Sequence, residues 1–177
     1  RTCMIAPKGD TPWEGHDRLF GDGFACPKTD SQIRKDAVFL QTDLLQIHVL
    51  QDPLHLRIYQ KQNQRFTPAL VDRQTGAYYR VHQGDAIRHY QDNSEANRHY
   101  GLGDKAGPLD RSGSRFRVLQ LDALAYNAET SDPLYKHVPF IMVQNRANDN
   151  AIGLLYDCMS EMIFDLGCEH SNYHSRY

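Results

Sequence analysis

Helical periodicity is what this sequence has least of. Nowhere along its 177 residues do apolar side chains recur at i, i+3, i+4 and i+7 over a helix length. That excludes a helical bundle and argues against alternating strand–helix units. Long apolar runs are missing as well. The longest, Val138–Val143 and Ala151–Tyr156, are of strand length, far short of the roughly 18–20 residues a membrane helix needs; no membrane partner is expected. An excess of either charge is also absent. With 20 Lys+Arg against 22 Asp+Glu the net charge is −2, which removes the basic footprint of a nucleic-acid binder. The arginines of Arg111–Arg117 read as a solvated strand edge. Cysteine is scarce, with only Cys3, Cys26, Cys158 and Cys168, too few for a disulfide scaffold. They read as free thiols of a reducing compartment, so a cytoplasmic location is expected. The opening Arg-Thr-Cys-Met shows no basic head followed by an apolar core. Together with the final Tyr-His-Ser-Arg-Tyr, it fits a piece excised from a longer polypeptide.

What the chain does contain is alternation. Leu45, Ile47 and Val49 alternate with Gln46 and His48, and Leu54, Leu56 and Ile58 with His55, Arg57 and Tyr59. Successive side chains of a strand point to opposite faces, so these are two half-buried strands, joined at Gln51-Asp52-Pro53 into a hairpin. Further strand-length segments are Ala69–Val71, Ala77–Val81, Ala86–Tyr90, Phe116–Leu121, Val138–Val143, Ala151–Tyr156 and Glu161–Leu166. Turn signals such as Thr75-Gly76, Gly84-Asp85 and Asn148-Asp149-Asn150 separate them. The polar stretch 91–98 reads as one helical turn at most. Many short strands at such spacing predict an all-β fold, an antiparallel sandwich or barrel. Residues 1–43 are expected to be an irregular lead segment, with one short strand around Asp36–Thr42 and the lone Trp13 filling a core gap. Residues 44–177 are expected to form the β-domain.

Catalytic signatures are weak. Gly101-Leu102-Gly103 lacks the third glycine and following helix of a dinucleotide fingerprint. Cys158, Cys168, Glu169, His170 and His174 lack the knuckle of a structural zinc site, and no metal or cofactor is expected. Asp104, Asp110, Asp122 and Asp132 are candidate carboxylates, but the sequence does not set two of them across a scissile bond. No G-x-S-x-G elbow is present.

The stretch 100–140 adds a resemblance. It carries Tyr100-Gly101-Leu102-Gly103-Asp104, Gly107-Pro108-Leu109-Asp110-Arg111, Leu121-Asp122-Ala123, Asp132-Pro133-Leu134-Tyr135-Lys136 and Val138-Pro139-Phe140 in that order. Downstream follow Ala151–Leu155 and Phe164-Asp165-Leu166-Gly167. This resembles the N-terminal domain of glycoside hydrolase family 31, the α-glucosidase and α-xylosidase family; Asp104 stands where that family more often has glutamate. The resemblance implies a galactose-mutarotase-like β-sandwich, an all-β antiparallel supersandwich, followed by a catalytic (β/α)8 barrel beyond residue 177. It implies an α-glucosidase-like retaining glycosidase whose nucleophile and acid/base are barrel aspartates, so that no catalytic residue lies in this chain. The substrate would be an α-glucoside or oligosaccharide. Asp122 matches the aspartate at the start of a loop that contacts substrate hydroxyls, and Tyr126 and Tyr135 would add ring faces beside it. A homo-oligomer is left open. The alternatives are a free-standing carbohydrate-binding β-module, or the same domain of an α-xylosidase or α-glucan lyase.

Overall fold

A computed structural model describes residues 27–80, 87–158, 160–169 and 173–176. Among the described residues there are thirteen strands and no helix. In chain order they are β1 (Asp30–Ile33), β2 (Ala37–Gln41), β3 (Leu45–Gln51), β4 (Leu54–Gln62), β5 (Arg65–Val71), β6 (Tyr78–Arg80) and β7 (Ile87–Asp92). Then come β8 (Asn97–Gly101), β9 (Arg115–Val118), β10 (Phe140–Asn145), β11 (Asn150–Leu155), β12 (Met162–Asp165) and β13 (Tyr173–Arg176). All pairings are antiparallel.

The strands form three sheets. The first is the meander β1-β2-β3-β4-β5; the second has the order β6-β7-β13-β12-β9; the third is β11-β10-β8. The hairpin predicted from the alternation at 45–59 is β3–β4, with Gln51 opposite Leu54 across Asp52-Pro53. Leu40, Ile47, Ile58 and Leu70 fall in one cross-strand row, which puts the period-two apolar positions on a common face.

The second and third sheets enclose the core. Leu102, Phe116, Val118, Ile141, Phe164 and Leu166 form its buried cluster, with Leu154, Tyr156 and Met162 packed against it. They come from β9 and β12 on one side and from β10, β11 and the turn after β8 on the other, which is the arrangement of a sandwich.

The first sheet is fastened at two places: Gln62 of β4 donates to the Asn150 side chain of β11, which donates in turn to Thr67 of β5, and the second fastening runs through Asp72. Asp72, fully buried, follows β5 and bridges to Gln91 of β7. Its carboxylate accepts from the Leu56 amide of β4 at 2.9 Å and from Nε2 of His89 on β7 at 2.8 Å. His89 Nδ1 in turn lies 3.0 Å from the Tyr156 hydroxyl, and the Tyr156 ring meets core Phe164 edge-on. One buried carboxylate thus ties the meander to the sandwich core.

Three elements differ from the sequence expectation. The first sheet begins inside the segment 1–43 expected to be irregular: β2 falls where the short strand was placed, and β1 precedes it. The polar stretch 91–98 forms no helical turn, since β7 runs to Asp92 and β8 starts at Asn97. β13 was not anticipated at all. Trp13, Cys3 and Cys26 lie outside the described residues.

Candidate functional site

The site is built outward from the turn after β8. Gly101, Leu102 and Gly103 all take positive φ, 117°, 65° and 70°. Only glycine fits the first position: a Cβ there would lie 2.6 Å from the carbonyl oxygen of Phe140. At Gly103 a Cβ would lie 2.9 Å from the Val138 side chain. Leu102 bears the cost of a left-handed conformation, about 1–2 kcal/mol. Its side chain is fully buried in the core cluster, which contributes about 1.5–3 kcal/mol, so burial wins. The turn therefore presses its backbone against Val138–Phe140, the far end of the long connection between β9 and β10.

That connection, residues 119–139, has no strand but is tied at several points. Asp132 accepts from Lys105 Nζ at 2.8 Å and from the Arg117 amide, and Lys105 also donates to the Arg117 carbonyl. The Tyr135 hydroxyl donates to the Ala123 carbonyl at 2.8 Å. Asn127 and Ser131 close a small turn, and Lys136 pairs with Asp104 at 3.0 Å. Pro133, Leu134 and Ala123 are buried beneath. Beyond these ties the outer part of the loop faces solvent, with Leu121, Leu124, Tyr126 and Tyr135 exposed and Leu124 the most so, at 81%.

The four candidate carboxylates separate by this geometry. Asp104 is paired with Lys136. Asp110 lies 3.2 Å from Arg98 Nε and accepts from the Ser112 and His99 amides. Burial pushes its pKa up, but the Ser112 and His99 hydrogen bonds and the Arg98 charge outweigh this and hold it below the usual carboxylate range. Asp132 belongs to the Lys105 pair. Asp122 is exposed, and no hydrogen bond or ion pair engages its carboxylate among the described residues. Three of the four carboxylates are engaged within the fold; Asp122 is not.

Tyr126 and Tyr135 lie on the same loop as Asp122. Their rings meet edge-to-face with centroids 6.0 Å apart, and the Tyr135 hydroxyl anchors the residue next to Asp122. Lys105, which sequence reasoning passed over, is part of the same assembly.

A family comparison decides what this assembly belongs to. The model of the glycosyl hydrolase 31 N-terminal galactose mutarotase-like domain matches residues 22–165. The chain belongs to this family. Its sandwich is accordingly the mutarotase-like one that the resemblance implied. As a GH31 N-terminal domain it is 41% identical over 70 residues to an alpha-glucosidase of Saccharolobus solfataricus, covering 39% of this chain and 10% of that protein. It is 34% identical over 71 residues to alpha-glucosidase 2 of Bacillus thermoamyloliquefaciens, covering 40% and 9%. Among solved structures, a GH31 dextranase of Flavobacterium johnsoniae complexed with isomaltotriose superimposes with a TM-score of 0.68 at 27% identity, covering 84% of this chain and 17% of that one. The domain thus spans about a tenth of the length of the curated relatives it matches.

Two other features of the domain carry less. A shallow groove of about 410 Å³ on the first sheet is lined by Asp30, Gln32, Phe39, Gln46 and His48 among others. Some of its groups are already engaged: the Arg34 guanidinium lies 5.0 Å from the Phe39 ring centre, and Gln46 donates to Gln41. Cys158 and Cys168 are free and exposed, and His170 lies outside the described residues. Among the described residues no group of three His, Cys, Asp or Glu side chains is arranged to hold a metal ion.

Proposed function

We propose that this GH31 domain is part of a retaining, α-glucosidase-like glycosidase, packs on a catalytic barrel of the same polypeptide and lends it the loop that carries Asp122. The observation that carries this reading is that Asp122, alone of the four candidate carboxylates, is unengaged, and that it is held at the start of an exposed, apolar loop whose base is tied down. An ionised carboxylate with free lone pairs accepts two sugar hydroxyls at once through charge-assisted hydrogen bonds. The Tyr126 and Tyr135 rings beside it offer the apolar faces a pyranose stacks on. The substrate class is an α-glucoside or oligosaccharide, in keeping with the alpha-glucosidases and the isomaltotriose-bound dextranase to which the chain is similar. In this reading the bond-breaking carboxylates belong to the barrel, and Asp122 orients the sugar that they attack.

The test is Asp122→Asn in the full-length polypeptide. Hydrogen bonds to a charged group are worth about 1.5–3 kcal/mol, so kcat/KM for p-nitrophenyl α-glucoside should fall about 10- to 100-fold, chiefly through KM. The isolated 177-residue chain is expected to show no hydrolysis. An unchanged KM in the variant would refute the role of Asp122, and turnover by the isolated chain would refute the division between domain and barrel.

A further inference from the structure

Lys105 is an unusual lysine. Its side chain has no solvent exposure, although lysine is almost never fully buried unless paired. It follows the Gly101–Gly103 turn, and its ammonium holds Asp132 at 2.8 Å and the Arg117 carbonyl at once. The second oxygen of Asp132 takes the Arg117 amide. One charge pair therefore joins the turn after β8, the strand β9 and the loop 119–139. The two ends of that loop are fixed by β9 and β10; of the ties between them, which include the Gly107 amide on the Ala128 carbonyl and the exposed Lys136–Asp104 pair, Asp132 is the one that reaches a buried charge. The backbone from Asp132 to Tyr135 then passes the constraint on, because the Tyr135 hydroxyl fixes the Ala123 carbonyl beside Asp122.

We propose that Lys105 is a positioning residue for Asp122: through Asp132 it sets where the loop presents the carboxylate that meets the sugar. This rests on the reading of Asp122 given above. Lys105 touches no substrate. Its ammonium lies in a closed site, and removing it leaves Asp132, 23% exposed, with the Arg117 amide as its one remaining tie, so that the carboxylate turns outward more readily and loosens the loop. The expected consequence is a substrate contact that is looser while the barrel's own chemistry is unaltered, and that appears as a rise in KM with kcat nearly constant.

The experiment uses the full-length polypeptide with four variants: Lys105→Met, Asp132→Asn, Asp122→Asn and the Lys105→Met/Asp122→Asn double variant. KM and kcat for p-nitrophenyl α-glucoside are measured together with amide hydrogen exchange across residues 119–139. Lys105→Met is expected to raise KM about 5- to 50-fold, since misplacement of a binding group by about an ångström is worth effects of this order. Exchange in the loop should quicken while that of β10 and β12 stays slow. In the Asp122→Asn background the same substitution should change KM by less than about twofold, because coupled residues are not additive. Should the Lys105 variant fail to fold, Asp132→Asn keeps the size, removes the charge, and is expected to reproduce both the KM rise and the loop exchange. If the effects of Lys105→Met and Asp122→Asn multiply, or if loop exchange is unmoved, the positioning role is wrong. If Asp122→Asn alone leaves KM unchanged while the loop still quickens, the fault lies with the role of Asp122, and the positioning of the loop by Lys105 stands.

Discussion

Replacing Asp72 by alanine should loosen the first sheet from the sandwich core. The side chain is fully buried and accepts from two donors, the Leu56 amide of β4 and the His89 ring of β7. Alanine leaves both donors buried without an acceptor. Each unsatisfied buried donor costs about 1–3 kcal/mol, so the two together cost about 4 kcal/mol. A loss of about 3–5 kcal/mol follows, and the melting temperature of a chain this size should drop by about 6–20 °C. Asparagine is the informative control. Its amide oxygen still accepts from Leu56 and its NH2 faces the imidazole, so about 1–2 kcal/mol is expected. Urea unfolding followed by far-ultraviolet circular dichroism and by tyrosine fluorescence reads both. Because Tyr156 is bonded to His89 while the meander contributes Tyr59, the two probes should separate in the alanine variant. A loss below about 1 kcal/mol for alanine, or asparagine as damaging as alanine, would show that the sheets are held by something other than this carboxylate.

Two further outcomes follow from the turn after β8 and its surroundings. Gly101→Ala forces a Cβ to 2.6 Å from a backbone oxygen at φ 117° and should cost about 3 kcal/mol or more. Gly113→Ala, with φ 75° and nothing within 4 Å, should cost only about 1–2 kcal/mol; equal losses in thermal melts would contradict the packing argument. The pKa of Asp110 is lowered in the fold, so its contribution is complete above the unfolded aspartate value of about 3.9 and disappears as pH falls through the lower folded value. Asp110→Asn should therefore be less stable than the parent at neutral pH, and the gap should close on acidification below about pH 4. A gap that persists at low pH would mean that the carboxylate's charge is not what stabilises.

How much of this was legible in the sequence depends on how each strand declares itself. β3 and β4 were visible because one face is aliphatic and the other polar, which gives a period of two. β8 was not, because its sequence Asn-Arg-His-Tyr-Gly carries no apolar signal. Its buried residue is His99, whose ring is satisfied by Ser112 rather than by burial among hydrocarbons. β1, Asp-Ser-Gln-Ile, is exposed at every position and pairs by backbone alone. The site divides in the same way. Asp122, Tyr126 and Tyr135 are close in sequence and were singled out through the resemblance to ordered motifs. The Lys105–Asp132 pair spans a separation that no local pattern encodes, and lysine in a polar, glycine-rich stretch reads as solvated until the structure shows it closed in.

The place of β13 has a consequence for how the chain is made. The first sheet is a meander in which each strand pairs with its neighbour in sequence, so its loops are short and it is able to close as it emerges from the ribosome. The second sheet is not. β13 lies between β7 and β12, with Tyr173 opposite Asp92, so β7 gains its inner partner only about eighty residues after it is synthesised. At about 5–20 residues per second that is a delay of about 4–16 s. During this interval β6–β7 stands with one edge unpaired, and closing so long a loop is slow in itself. Whatever shields that edge in the nascent chain, rather than the core packing seen at the end, governs how much of the protein reaches its native state.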